Sequence, residues 1–111
     1  MVIAKVIIPA QTIASIVTTY LIGPTNVRTL IKKLTVTNPG ATAVNVTIYL
    51  VPAAGVAGVD NMIVDQKTVA AHETKEMFEL ENHVVEMDQR LQAFASSGNV
   101  LVIRGSGVEL T

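Results

Sequence analysis

What most restricts the fold is a succession of short runs in which Val, Ile and Thr alternate apolar with polar positions, each closed by residues that turn the chain. The strand candidates are residues 2–8, 12–21, 27–37, 43–51, 62–69, 75–80, 84–96 and 100–109. Pro9, Gly23-Pro24, Asn38-Pro39-Gly40, Pro52 through Asp60, Ala70-Ala71 and Ser96 through Asn99 separate most of them. Short strands at this spacing predict an all-β chain: a single antiparallel β-sandwich of about eight strands, jelly-roll or immunoglobulin-like, with residues 1–111 as one domain. Half the residues are hydrophobic and 15% are charged, so a chain of 111 residues can fill one core and is no candidate for disorder.

The stretch "LTVTNPGATAVNVTIYLVP" (34–52) sharpens the expectation. Leu30, Leu34 and Val36 share parity, as do Val44, Val46, Ile48 and Leu50. Opposed residues in an antiparallel ladder lie on the same face, so apolar meets apolar only when paired numbers sum to an even value. Val36 opposite Val44, Leu34 opposite Val46 and Leu30 opposite Leu50 satisfy this. A two-residue Pro39-Gly40 turn does not. The reading is a three- or five-residue connection, unless the strands belong to different sheets and the segment is an arch.

Between His72 and Ser97 the local pattern leaves two readings open. Met77, Leu80, Val84, Met87, Leu91 and Phe94 follow helical spacings of three and four, and no Pro or Gly interrupts them. Val85, Met87, Leu91, Ala93 and Ala95 also alternate at period two, with Glu81-Asn82-His83 able to turn between strands. A short helix within 72–95 is compatible with the first pattern.

Catalytic chemistry needs a nucleophile with a base, an acid/base pair or a metal. His72 and His83 form no zinc-binding spacing, and Asp60-Asn61 with Asp65 lacks the calcium-loop spacing and its closing Glu. "GSG" (105–107) and "GVAG" (55–58) are neither dinucleotide nor phosphate loops. Asn45-Val46-Thr47 matches the glycosylation pattern but falls in mid-strand. The expectation is no enzyme, no cofactor, no metal and no catalytic residue.

The absence of cysteine excludes a disulfide framework. Lys5, Pro9, Gln11 and a series of hydroxyl residues interrupt the apolar N-terminal segment well short of a membrane span. A formal net charge of −1, with the early bases scattered, gives no footprint for nucleic acid. Between Glu73 and Arg90, however, six acids stand against two bases. This run reads first as a solvated face, and more sharply as a flank that meets the basic half of a neighbouring copy. With so little site chemistry, surface is what remains. Val56 and Val59, in the loop from Pro52 to Asn61, are candidates to touch a partner. The strand Met1 to Ile8 is the leading candidate for an intersubunit contact, because an edge so apolar must be covered.

As an ordered set, "KKLTVTNPGATAVNVTIYLVPAAGVAGVDNMIV", "VAAHETKEMFELENHVVEMDQRLQAFASS" and the terminal "NVLVIRGSGVELT" resemble the small β-sandwich accessory proteins of tailed bacteriophage virions. The resemblance covers about the last four-fifths of the chain. It favours strands over helix for 72–95. In that family a Gly precedes the position of Asp88; here Met87 stands there. The resemblance implies a structural protein made in the host cytoplasm and carried on the virion. It would be a decoration or cement protein on the capsid surface, with the major capsid protein as partner and a homotrimer as the favoured oligomer. A small tail or collar component, structural or receptor-binding, is the alternative, and a non-viral binding module a second one. The interface residues expected on this reading are Met1, Val2, Ile3, Lys5, Val56, Val59, Asn61 and Met62, with neither nucleic acid nor membrane as partner.

Overall fold

The structure is a computed structural model that describes residues 1–111. One sheet runs β1 (Val2–Thr12), β9 (Val102–Leu110), β3 (Arg28–Thr37), β6 (Thr74–Glu76), with the two-residue β7 (Val84–Val85) also on β3. The other runs β2 (Thr18–Ile22), β8 (Arg90–Ala95), β4 (Val44–Val51), β5 (Met62–Val69). All pairings are antiparallel. The first strand pairs with the last, the second with the one before it, β3 with β6 and β7, and β4 with β5. A long hairpin rolled around a barrel gives this nesting, so the sandwich is a jelly roll.

The two sheets enclose Ile8, Ile31, Leu34, Val36 and Ile103 from one side and Val46, Ile48, Leu91 and Ala93 from the other, all fully buried. Met77 and Leu80 close the flank between β3 and β5, where the Met77 N–H donates to the Leu34 carbonyl at 2.8 Å. Single 3₁₀ turns at Val59–Asn61 and Phe78–Leu80 are the only helical segments.

Four sequence expectations change. The segment 34–52 is an arch: β3 and β4 lie in different sheets, so Val36 opposes Ile103 and Val44 opposes Val69 instead of each other. Leu34, Val36, Val44 and Val46 nonetheless all point inward. Asn38 makes the arch possible. Its buried amide nitrogen donates to the Thr42 and Val69 carbonyls at 2.8 and 3.0 Å, while its amide oxygen accepts the Gly40 N–H at 2.9 Å. Leu30 leaves the expected face and pairs with Val108 and Val84, not Leu50, because a bulge at Lys32-Lys33 reverses the alternation of β3. Pro9 does not end β1; the strand is an edge, and it continues through an irregularity to Thr12.

The fourth change concerns 72–95, where strands prevail. The run from 75 to 80 divides into β6 and a 3₁₀ turn, and that from 84 to 96 divides at a turn over residues 86–89 into β7 and β8. The turn forms without glycine at 87, because the positive φ falls on Asp88 (65°), one of the residue types that tolerate it. The Gln89 N–H closes it on the Glu86 carbonyl at 3.1 Å.

The "GSG" of β9 has a packing explanation. β1 and β3 are both irregular where they flank it, near Ile7 and near Lys32. A Cβ at Gly107 would come within 2.2 Å of the Leu30 carbonyl oxygen, and one at Gly105 would press on Ile8 and Leu34 at 3.3–3.4 Å. These glycines let the central strand pass between two bulged neighbours. Beyond them, residues 2–6, 106–110, 28–31 and 84–85 form a four-stranded end of the sheet in a molecule 43 Å long and 27 Å wide.

Candidate interaction surface

Alternation assigns the two faces of that end. Gly107, Thr29, Ile31 and Val85 face the interior and are buried. The intervening residues face outward, and all but Arg28 and Ser106 are apolar. Ala4, Val108, Leu30 and Val84 stand side by side across β1, β9, β3 and β7; the row below is Val2, Leu110 and Arg28, and the row above passes from Val6 to Ser106 and Lys33, where the polar half begins. Val2 is 68% exposed and Val6 47% exposed, with Val84 and Leu110 near 40%. At the opposite end of the same face the rows read Thr12, Val102, Thr37, Thr74 and Arg104, Thr35, Glu76. One face of one sheet is thus divided into a polar half and an apolar half. A contiguous exposed apolar area of this kind is a candidate interaction surface.

The apolar half ends at the free edge of β1, which is long, lacks a neighbour, and carries one charge, Lys5, along residues 2–6. The other edges are blunted: β2 and β6 are short, and β5 carries Asp65 and Lys67 around Gln66 at φ 48°.

The eight expected interface residues fall into two groups at one end of the sandwich. Met1, Val2, Ile3 and Lys5 occupy the exposed start of β1. Val56 and Val59 stand at the tip of the β4–β5 loop, each more than 80% exposed. The structure does not merge the groups, because β1 and β5 are the outermost strands on opposite sides. Asn61 is committed within its own loop: its oxygen accepts the Gly58 N–H at 3.1 Å and its nitrogen donates to the Val56 carbonyl at 2.9 Å. Met62 is half-buried at the start of β5 opposite Tyr49. Ala4 and Val6 lie in the strand expected at the contact, whereas Leu30, Val84, Val108 and Leu110 escape the sequence reading. In "VIAKVII" the signal is that both alternate sets are apolar apart from Lys5, although only one can face the core.

The opposite charges of the two halves meet within one chain. Lys5 pairs with Glu109 at 3.3 Å, and two acids of the run are answered by bases that precede it, Glu86 by Arg28 at 3.1 Å and Glu76 by Lys33 at 3.2 Å. Each such surface pair contributes little. Lys67 reaches Glu79 at 3.1 Å and lies over the Phe78 ring. Burial pushes the Glu79 carboxyl up, but hydrogen bonds from its own backbone N–H and from Lys67 outweigh it and hold the group below the usual range. His72 and His83 both sit in connections between strands, and Asn45 accepts a hydrogen bond from Thr68 at 2.8 Å.

No protein-family model and no curated protein sequence matches the chain. Among solved structures, the chain is similar to one in "Structure of infectious bursal disease virus Gx strain". The likeness has a TM-score of 0.53 at 14% identity and covers 98% of this chain. It spans 32% of that chain's length, and at this identity what the two share is the fold, a β-sandwich.

Proposed function

We propose that the protein is a structural component of a virus particle: a non-enzymatic accessory subunit on a tailed-phage capsid, bridging neighbouring copies of the major capsid protein. The observation that carries the reading is the superposition of nearly the whole chain, 98% of it, on a chain from a virus structure. The jelly roll also serves lectins and cupins, so the fold alone does not decide among them. The surface supports the particle reading. The interior is filled by Ile, Leu and Val side chains, whereas the outer face presents apolar area, and protein partners are held by area and complementarity.

On this reading the outer face of the β1–β9–β3–β7 end seats against the shell, adding buried interface across the joints between capsid subunits. Gold-labelled antibody against the protein should decorate the heads of intact particles, and heads lacking it should release their genome at a lower temperature. Label confined to the tail would establish the tail-component alternative. Particles that never carry the protein would remove the virion reading altogether.

A further inference from the structure

The free edge of β1 is built to pair with itself. Met1 and Thr111 exchange both backbone hydrogen bonds, at 2.7 and 2.9 Å, and the register runs unbroken from there to Val6 opposite Ser106. In an antiparallel ladder such doubly bonded pairs alternate with unbonded ones. Ile3 and Lys5 therefore spend their N–H and C=O groups on β9, whereas those of Val2, Ala4 and Val6 point to the open side. The same alternation continues across the sheet, where the Ile31 N–H turns away from β9 to the His83 carbonyl at 2.9 Å.

We propose that two copies of the chain associate through antiparallel pairing of β1 with β1 about a two-fold axis at Ala4. In this register Ala4 pairs with Ala4 of the second copy, and Val2 pairs with Val6 of the second copy in both directions. All three open residues of each chain are used, forming about six backbone hydrogen bonds. Two independent features select it. Centring the axis on Lys5 sets two lysines directly opposite, which is destabilising, and centring it on Ile3 sets the Ala4 row against the row of the second copy that runs from Val2 and Leu110 to Arg28. The Ala4 register also continues the outer apolar row without a break, from Val84 through Leu30, Val108 and Ala4 into the same residues of the second copy in reverse order. The two apolar half-faces become one surface on one side of a double-width sheet, while Met1, Val2 and Val6 lose exposure across the joint.

The occupant is a second copy because the edge is self-complementary in hydrogen-bond parity, in facial polarity and in side-chain size at the axis. A three-fold arrangement cannot pair a strand antiparallel with its own copy; only a two-fold does. Five residues of added strand form a small interface, at the low end of specific association, so the dimer is a high-concentration species in solution. The inference does not depend on the virion reading. A dimer that binds no capsid would leave it intact, and a capsid-bound protein that stays monomeric would leave that reading intact.

The full chain should shift from its monomer mass of 11.8 kDa to twice that in sedimentation equilibrium as concentration rises toward the millimolar range. Ala4→Pro removes an N–H that points away from β9, so the fold should survive by circular dichroism while the dissociation constant rises roughly ten- to a hundredfold. Register is read by oxidative cross-linking in a chain with no native cysteine. Ile3 and Lys5 of the second copy form a close unbonded pair, about 4.5 Å between Cα atoms and within disulfide reach. Ile3→Cys protein and Lys5→Cys protein, each folded, should cross-link when mixed with an oxidant and not when oxidised alone. A wild type that stays monomeric, a trimer, a folded Ala4→Pro variant that dimerises unchanged, or cross-linking of either variant with itself in place of the mixture would overturn the proposal.

Discussion

At the scale of single residues, the departures from ordinary chemistry are few and each has a measurable consequence. Thr29 is fully buried on the inner face between Glu109 and Val85, and its hydroxyl has no hydrogen-bond partner. A desolvated, unpaired hydroxyl costs about 1 kcal/mol or more, whereas Val has the same shape without it. Thr29→Val is therefore expected to stabilise the fold by about 1 kcal/mol, a rise of roughly 4 °C in melting temperature. An unchanged or lowered melting point would show that the hydroxyl is satisfied. Gly23 is the opposite case, a residue that tolerates no addition. Its N–H donates to the Gln89 carbonyl and its carbonyl accepts from Asp88, which brings a hypothetical Cβ within 1.9 Å of the Glu86 carbonyl oxygen. Gly23→Ala forces apart the two connections that link the sheets here, and denaturant titration should show a loss of about 2–3 kcal/mol.

At the scale of elements, the sequence disclosed the strands better than their partners. Alternation in 27–37 and 43–51 located β3 and β4 and the inward set Leu34, Val36, Val44 and Val46, because facial periodicity is local. Sheet membership is not local. Asn38 bridges to Val69, thirty-one residues away, and nothing within 34–52 announces that bond. Bulges were the other hidden feature. "IKKL" places two lysines in succession on the exterior, a mark of reversed alternation that strict parity cannot accommodate, and so Leu30 was put on the wrong face. The turn at 86–89 shows how one substitution can mislead. The resemblance places a glycine at 87, whereas the left-handed residue is Asp88. Met87→Gly should therefore cost about 0.5–1 kcal/mol in chain entropy, while Asp88→Gly should stay within about 0.5 kcal/mol of the parent. Equal effects at both positions in thermal unfolding would mean that the positive φ is misplaced.

At the scale of the whole molecule, the candidate surface was legible in part. The apolar N-terminus named β1 as an edge in need of cover, but the joining of Val84, Leu30 and Val108 to Ala4 exists only once β7, β3, β9 and β1 lie side by side. The structure also limits how that edge can be probed. Ile7 and Ile8 belong to the core, so deleting Met1 through Ile8 would test folding before it tested association. Charges placed on the outer face avoid this difficulty. Val84 and Leu110 lie on the apolar half away from the open side of β1, each partly exposed, so Val84→Glu with Leu110→Glu should change stability by less than about 1 kcal/mol. If the outer face seats on a capsid shell, this pair of carboxylates, desolvated at the joint with only Arg28 beside one of them, should weaken co-sedimentation with particles at least tenfold. Val56→Glu with Val59→Glu, at the loop tip across the molecule, should leave binding unchanged. The reverse result, binding lost with the loop pair and kept with the face pair, would move the contact to the β4–β5 loop and leave the divided face of the sheet without a role in particle binding.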